Sequence, residues 1–119
     1  MKIFFDGGLR PAGMELAVVI AGQAYIERDL GPGTSMAAEW RALLAAISLA
    51  KERALADPIL LGDAAAVIAQ AQGKVRCPPP HAADLAAFQA IAQSLPRLRL
   101  RHIKRTQNLA GIALACERR

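Results

Sequence analysis

Residues 31–63 read GPGTSMAAEWRALLAAISLAKERALADPILLGD, and this stretch decides the fold. Gly31-Pro32-Gly33 breaks the preceding pattern, and Thr34 or Ser35 can cap a helix. Good helix formers then run from Ala37 to about Leu55. Asp57-Pro58 stops them, and Ile59-Leu60-Leu61-Gly62 is a fully apolar run of strand length that ends at the acid Asp63. Towards the N-terminus, Lys2–Phe5 is a short strand entering a turn at Asp6-Gly7-Gly8. Met14–Ala21 is a second strand, and the alternating Ala24–Leu30 a third, the three joined by short turns as an antiparallel meander. Towards the C-terminus, Ala64–Gln72 is expected to be helical. Gly73–Pro80 is a connector in which Cys77-Pro78-Pro79-Pro80 cannot be helical. Ala82–Leu95 carries Leu85, Phe88, Ile91 or Ala92, and Leu95 at helical spacing. Arg97–Ile103 alternates basic with apolar residues, and a last helix starts at about Asn108. Three hairpin strands followed by strand–helix alternation predict an α/β fold, a five-stranded mixed sheet flanked by helices.

The 119 residues suit one domain, 1–119, and a chain of this length buries roughly two-thirds of its unfolded surface. It needs no disulfide or structural metal to hold a core. The hydrophobic fraction of 54% overstates that core, because 26 residues are alanine. Apolar stretches such as Leu16–Ala21 are too short to span a bilayer, and the start MKIFFDGGLR lacks the make-up of a signal peptide. Cys77 and Cys116 are isolated thiols without metal-ligand spacing. A reduced, cytoplasmic domain with no membrane partner is expected. Charge divides the chain: residues 1–73 carry a net −2 and residues 74–119 a net +7. A basic half suggests a polyanionic partner.

The acidic half poses a sharper question. Asp6 shares a strand face with Phe4, and Asp63 shares one with Ile59 and Leu61. Stepping from Glu39 by three and four residues gives Ala42, Leu43, Ala46, Ile47 and Ala50, the apolar face of the long helix. Each acid has an ordinary explanation: a turn residue for Asp6, an N-cap for Asp63, a complement to the helix dipole for Glu39. Their shared location argues otherwise, since strand carboxyl ends and helix starts gather at the ligand-binding edge of an α/β sheet. Unpaired carboxylates there would cost several kcal/mol without a cation or a raised pKa. An oxygen-only set suits Mg²⁺ or Mn²⁺, and such ions act on phosphodiesters.

The segments IFFDGGLR, TSMAAEWRALLAAI, ILLGDAAAVIAQ and HIKRTQNLAGIALA, in this order, resemble ribonuclease H. The resemblance covers essentially the whole chain and implies a ribonuclease H-like fold. It also implies a metal-dependent endonuclease that cleaves the RNA strand of RNA–DNA hybrids. Asp6, Glu39 and Asp63 would match three of four carboxylates that hold two Mg²⁺ ions, with Asp6 bridging both and Glu39 helping to orient the attacking water. Gly7, Gly8, Ser35, Arg105 and Asn108 fall at positions implied to contact substrate.

The departures are as informative. Aligning Asn108 with the family's motif asparagine places Ile112 at the fourth aspartate. Glu117 cannot easily replace it, since five residues along a helix from Ile112 turn the side chain to a different face. Ser35 and Met36 stand where two asparagines are usual, and Ala64 and Ala65 where polar residues are. The loop histidine of some relatives is missing: His102 is expected to be packed in its strand and His81 to be solvated. The inserted basic arm of larger relatives is absent, and Arg97, Arg99, Arg101, Lys104 and Arg105 are candidates to contact phosphates instead. The alternative to an enzyme is a catalytically silent relative that binds nucleic acid through its basic half. A small α/β interaction domain would leave both the charge asymmetry and the acid cluster unexplained.

Overall fold

The computed structural model describes residues 1–117. Its sheet is built from β1 (Lys2–Arg10), β2 (Gly13–Ile20), β3 (Gln23–Glu27), β4 (Ile59–Gly62) and β5 (Arg99–His102), in the spatial order β3-β2-β1-β4-β5. The helices are α1 (Ser35–Glu52), α2 (Ala65–Ala71), α3 (Ala82–Ala92) and α4 (Leu109–Glu117). The first three strands pair antiparallel, and β4 pairs parallel with both β1 and β5. The five-stranded mixed sheet expected from the sequence is therefore present. Among the described residues no helix is long and apolar enough to cross a membrane.

Alternation along β1 divides the molecule into two layers. Ile3 and Phe5 face α1, where they join Leu16, Val18, Ile20, Trp40, Leu43, Ile47 and Leu60 in the main core. Ala42, Leu43, Ala46, Ile47 and Ala50 are all fully buried on α1, as the spacing from Glu39 predicts. Thr34 caps this helix, its hydroxyl accepting from the Ala37 N–H at 3.0 Å. Trp40 places its indole N–H in the core and donates it to Gln70 Oε1 at 3.0 Å, so neither buried polar group is left open. On the other layer Ala17 and Val19 pack with Ala110 and Leu114 of α4, against Phe4 and Ile26.

Several local expectations need correction. Strand β1 does not turn at Asp6-Gly7-Gly8 but continues to Arg10 before the Pro11-Ala12 turn. The reason is a contact between elements: a Cβ on Gly7 would lie 2.2 Å from the Ala38 carbonyl oxygen of α1. The glycine admits the start of the helix rather than a chain reversal. Gly7→Ala is expected to destabilise the fold by about 2–3 kcal/mol, read as a lowered urea midpoint. Strand β3 ends at Glu27, short of Leu30. Ala21 and Gly22, with φ of 51° and 77°, make the two-residue turn that joins it to β2. Pro79–His81 forms one 3-10 turn leading into α3, contrary to the expectation of a non-helical connector. Prolines opening a helix lose no hydrogen bond, because the first N–H groups have no partner in any case. Finally, α3 stops at Ala92, although Leu95 remains buried as expected.

Candidate active site

Asp6, Gly7, Gly8, Glu39, Asp63, Arg105, Gly111, Ile112, Leu114 and Ala115 line one cleft of about 390 Å³. Asp6 reaches it from the middle of β1, two residues along the same face from Phe4. Asp63 reaches it from just beyond β4. Glu39 comes from the opposite layer, on the first turns of α1, through the space that Gly7 leaves. The three acids suspected from the sequence are thus brought together. Neither simple alternative holds for the two aspartates. Asp6 is not in a turn, and no side chain caps α2, whose N-cap residue is Ala64.

The cleft strains its own charges. The Asp6 pKa is raised from an ordinary 3.8 to about 7, first by burial, then by the charges of Asp63 and Glu39. Arg105 works against the rise, and a hydrogen bond with the Asp63 carboxyl adds to it. Glu39 is also raised, by burial first and by Asp63 second, with Arg105 again opposing. Arg105 is highly exposed and holds its Nε 3.6 Å from Asp63 Oδ2. An ion pair so open to water supplies little attraction, which leaves the acids short of positive charge.

Asn108 is fully buried and is not free to touch a substrate, which corrects the expectation from the sequence. Its Nδ2 donates to the Phe5 carbonyl at 3.0 Å and to Asp63 Oδ1 at 2.6 Å, and its Oδ1 accepts from the Ala110 N–H at 3.1 Å. One amide therefore fixes Asp63, caps α4 and ties both to β1. Asn108→Ala is expected to cost about 2–4 kcal/mol in chemical unfolding, because it strands buried partners as well as removing the bonds. A second support was missed in the sequence. Glu15, 2% exposed within an otherwise apolar strand, accepts from Arg28 Nη1 at 2.5 Å. Arg28 Nη2 also donates to the Leu114 carbonyl at 3.4 Å, holding the far end of α4 over the sheet. The available signal was the acid at the second position of the run Met14–Ala21.

The remaining candidates separate in space. Gly7, Gly8, Arg105 and Ile112 line the cleft, whereas Ser35 is exposed at the start of α1 and does not line it. Ile112, 46% exposed, lines the cleft from α4, and its N–H bonds the Asn108 carbonyl one turn back. Gly111 matters too: a Cβ there would sit 3.2 Å from Asp6 Oδ2. Arg99 and Arg101 line a different groove, and Arg97 sits 3.6 Å from Asp57, so the basic residues do not act as one set on this cleft. His81 and His102 reverse their expected settings. His81 is buried with Nδ1 3.2 Å from Asp84 Oδ2, and His102 is exposed at the end of an edge strand. The Glu117 side chain lies outside the described residues.

The donor chemistry of the cleft fits a hard divalent cation. Its acids offer oxygen only, with no nitrogen or thiolate ligand, and burial together with the neighbouring carboxylates raises the pKa of Asp6 and Glu39. Among the described residues no three His, Cys, Asp or Glu side chains form a ready-made metal cage. A hexacoordinate Mg²⁺ bound by one or two carboxylates completes its shell with water and phosphate oxygens, so such a cage is not required.

A sheet of this order, with acids from β1, α1 and the end of β4 in one cleft, has the ribonuclease H-like architecture. Solved structures agree. The N-terminal RNase H domain of a Mycobacterium tuberculosis protein, fused to maltose-binding protein, matches with a TM-score of 0.79 and 24% identity over 95% of this chain and 93% of that one. RNase H1 of Halobacterium salinarum matches with a TM-score of 0.80 and 23% identity over 95% and 92%. LC11-RNase H1, isolated from compost, matches with a TM-score of 0.78 and 26% identity over 98% and 89%. A second structure of LC11-RNase H1 is a complex with an RNA/DNA hybrid, matched with a TM-score of 0.74 and 20% identity over 90% and 87%. No curated protein matches the chain. The chain belongs to the reverse transcriptase-like family, a ribonuclease H-like family whose sequence profile covers residues 19–117.

Proposed function

We propose that this protein is a divalent-metal-dependent endoribonuclease that hydrolyses the RNA strand of RNA–DNA hybrids. The observation that carries the reading is the convergence of Asp6, Glu39 and Asp63 on one cleft with too little positive charge to balance them. The hybrid bound by LC11-RNase H1, which has the same fold, supports the substrate class. Asp6, Asp63 and Glu39 would hold Mg²⁺ or Mn²⁺. When bound, such an ion neutralises the acids and the phosphate and lowers the pKa of water. The chain's own residues do the rest. Asn108 fixes one oxygen of Asp63, Gly8 lines the cleft where ribose hydroxyls would approach, and Arg105 reaches outward as a phosphate contact. The basic half draws the polyanion in, so association should weaken steeply with salt.

One observation favours a silent, hybrid-binding relative instead: the aliphatic Ile112 at the wall of the cleft, where the family resemblance implies a fourth carboxylate. A labelled RNA–DNA hybrid with Mg²⁺, and separately with Mn²⁺, decides between them. Strand-specific cleavage of the RNA that is lost in Asp63→Asn establishes the enzyme. Salt-sensitive binding with no cleavage by any preparation establishes the silent relative.

A further inference from the structure

The sheet face that carries Asp6 and Asp63 is only half covered. Helix α4 packs over β1 and β2 and reaches β3, which leaves β4 and β5 open on that side. Strand register arranges the open part in rows. Lys2, Ile59 and Arg99 stand abreast, and Phe4, Leu61 and Arg101 stand abreast in the next row. These six line a groove of about 440 Å³, with Ile103 and Gln107 at its end. The aspartates of the catalytic cleft are two residues further along the same strands. At about 3.3 Å per residue, the Phe4 row lies roughly 7 Å from them and the Lys2 row roughly 13 Å.

The groove has a definite chemistry. None of its lining residues is acidic, and cations flank an apolar floor that includes one aromatic ring. Lys2, Arg99 and Arg101 are exposed, while Phe4 and Ile59 are half-buried. Cations beside an aromatic platform are the recurrent means of holding single-stranded nucleic acid without sequence preference. The groove also adjoins the cleft. The single 3-10 turn Arg105–Gln107 separates the two, and it sends Arg105 into the cleft and Gln107 into the groove.

We propose that this half-face binds a single-stranded extension of the hybrid substrate, with Lys2, Arg99 and Arg101 on its phosphates and Phe4 against a base. The inference rests on the hybrid reading above. An acidic peptide is the competing occupant, but it would have no use for an aromatic floor beneath the cations.

Fluorescence anisotropy in the presence of EDTA tests this without cleavage. The probes are a labelled blunt RNA–DNA hybrid, the same hybrid with a short oligothymidine overhang, and the oligothymidine alone. The overhang is expected to tighten binding by about tenfold, a gain that shrinks with salt. The double variant Arg99→Ser with Arg101→Ser should bring the overhang-to-blunt ratio close to one, and Lys2→Glu should lower it. An overhang that adds nothing, or a gain that survives the double variant, overturns the proposal while leaving the blunt-hybrid result to judge the cleavage reading. Displacement of the overhang by polyglutamate as effectively as by free oligothymidine also overturns it, in favour of an acidic-peptide site. If the blunt hybrid does not bind but oligothymidine does, in an Arg99- and Arg101-dependent way, the groove stands and the hybrid reading falls.

Discussion

Asp6→Asn should abolish cleavage and, in metal-free buffer at pH 8, make the protein more stable than the wild type. Both effects follow from one carboxyl held where its charge is unwelcome. Its pKa is about 7 in the folded protein against an ordinary 3.8. Below pH 4 both folded and unfolded chains keep the proton, and Asp6 costs the fold nothing. As pH rises from 4 to 7 the unfolded chain releases its proton first, so stability falls, and above pH 7 the loss is complete. Because the carboxyl is only partly buried, the loss is about 1–2 kcal/mol rather than the full value of the shift. Asparagine keeps the shape and removes the titration. The drop in urea midpoint from pH 5 to pH 8 should therefore be smaller for the variant than for the wild type, with Glu39 supplying what remains. Cleavage should drop on the order of a thousandfold or more, since a carboxylate proposed to hold the metal has gone. A variant no more stable than the wild type at pH 8 would mean that Asp6 is not charged under strain there.

Ile112→Asp carries the second large effect, in the opposite direction. Residue 112 sits in the first turns of α4, where a carboxylate meets the favourable end of the helix dipole. Its side chain is already 46% exposed, so replacing the isoleucine loses little buried area. A fourth oxygen donor in the cleft should tighten Mn²⁺ binding by about 10–100-fold and raise single-turnover cleavage by a similar factor. The same charge should lower metal-free stability at pH 8 and push Asp6 further up. Calorimetric titration with Mn²⁺ and single-turnover cleavage read the two effects separately. Activity that appears only in this variant would assign the loss of function to one side chain. Unchanged affinity and rate would remove position 112 from the metal site altogether.

What could be read in advance was periodic or local. The apolar face stepping from Glu39, the unbroken run Ile59–Gly62 and the three hairpin strands are patterns within single elements, and the structure contains each. What could not be read depends on which elements meet. Asp6-Gly7-Gly8 has the composition of a turn, yet it is mid-strand, because Gly7 faces Ala38 from 31 residues away. Asn108 opens the last helix at a position that the resemblance implies contacts substrate. It is buried because β1 and Asp63 offer exactly the partners its amide needs. His81 and His102 differ from expectation for the same reason: a partner at Asp84 buries one, and an uncovered sheet edge exposes the other. Glu15 escaped notice because its partner Arg28 lies beyond the hairpin turn, in the next segment.

The hydrogen bond from Asn108 to the Phe5 carbonyl spans 103 residues of sequence. During synthesis the first strand leaves the ribosome long before that asparagine does. The meander and α1 can pair through contacts close in sequence, but the cleft closes only when the last helix arrives. From the synthesis of Asp63 until that of Asn108, a nascent chain thus carries all three acids without the strut that aims Asp63.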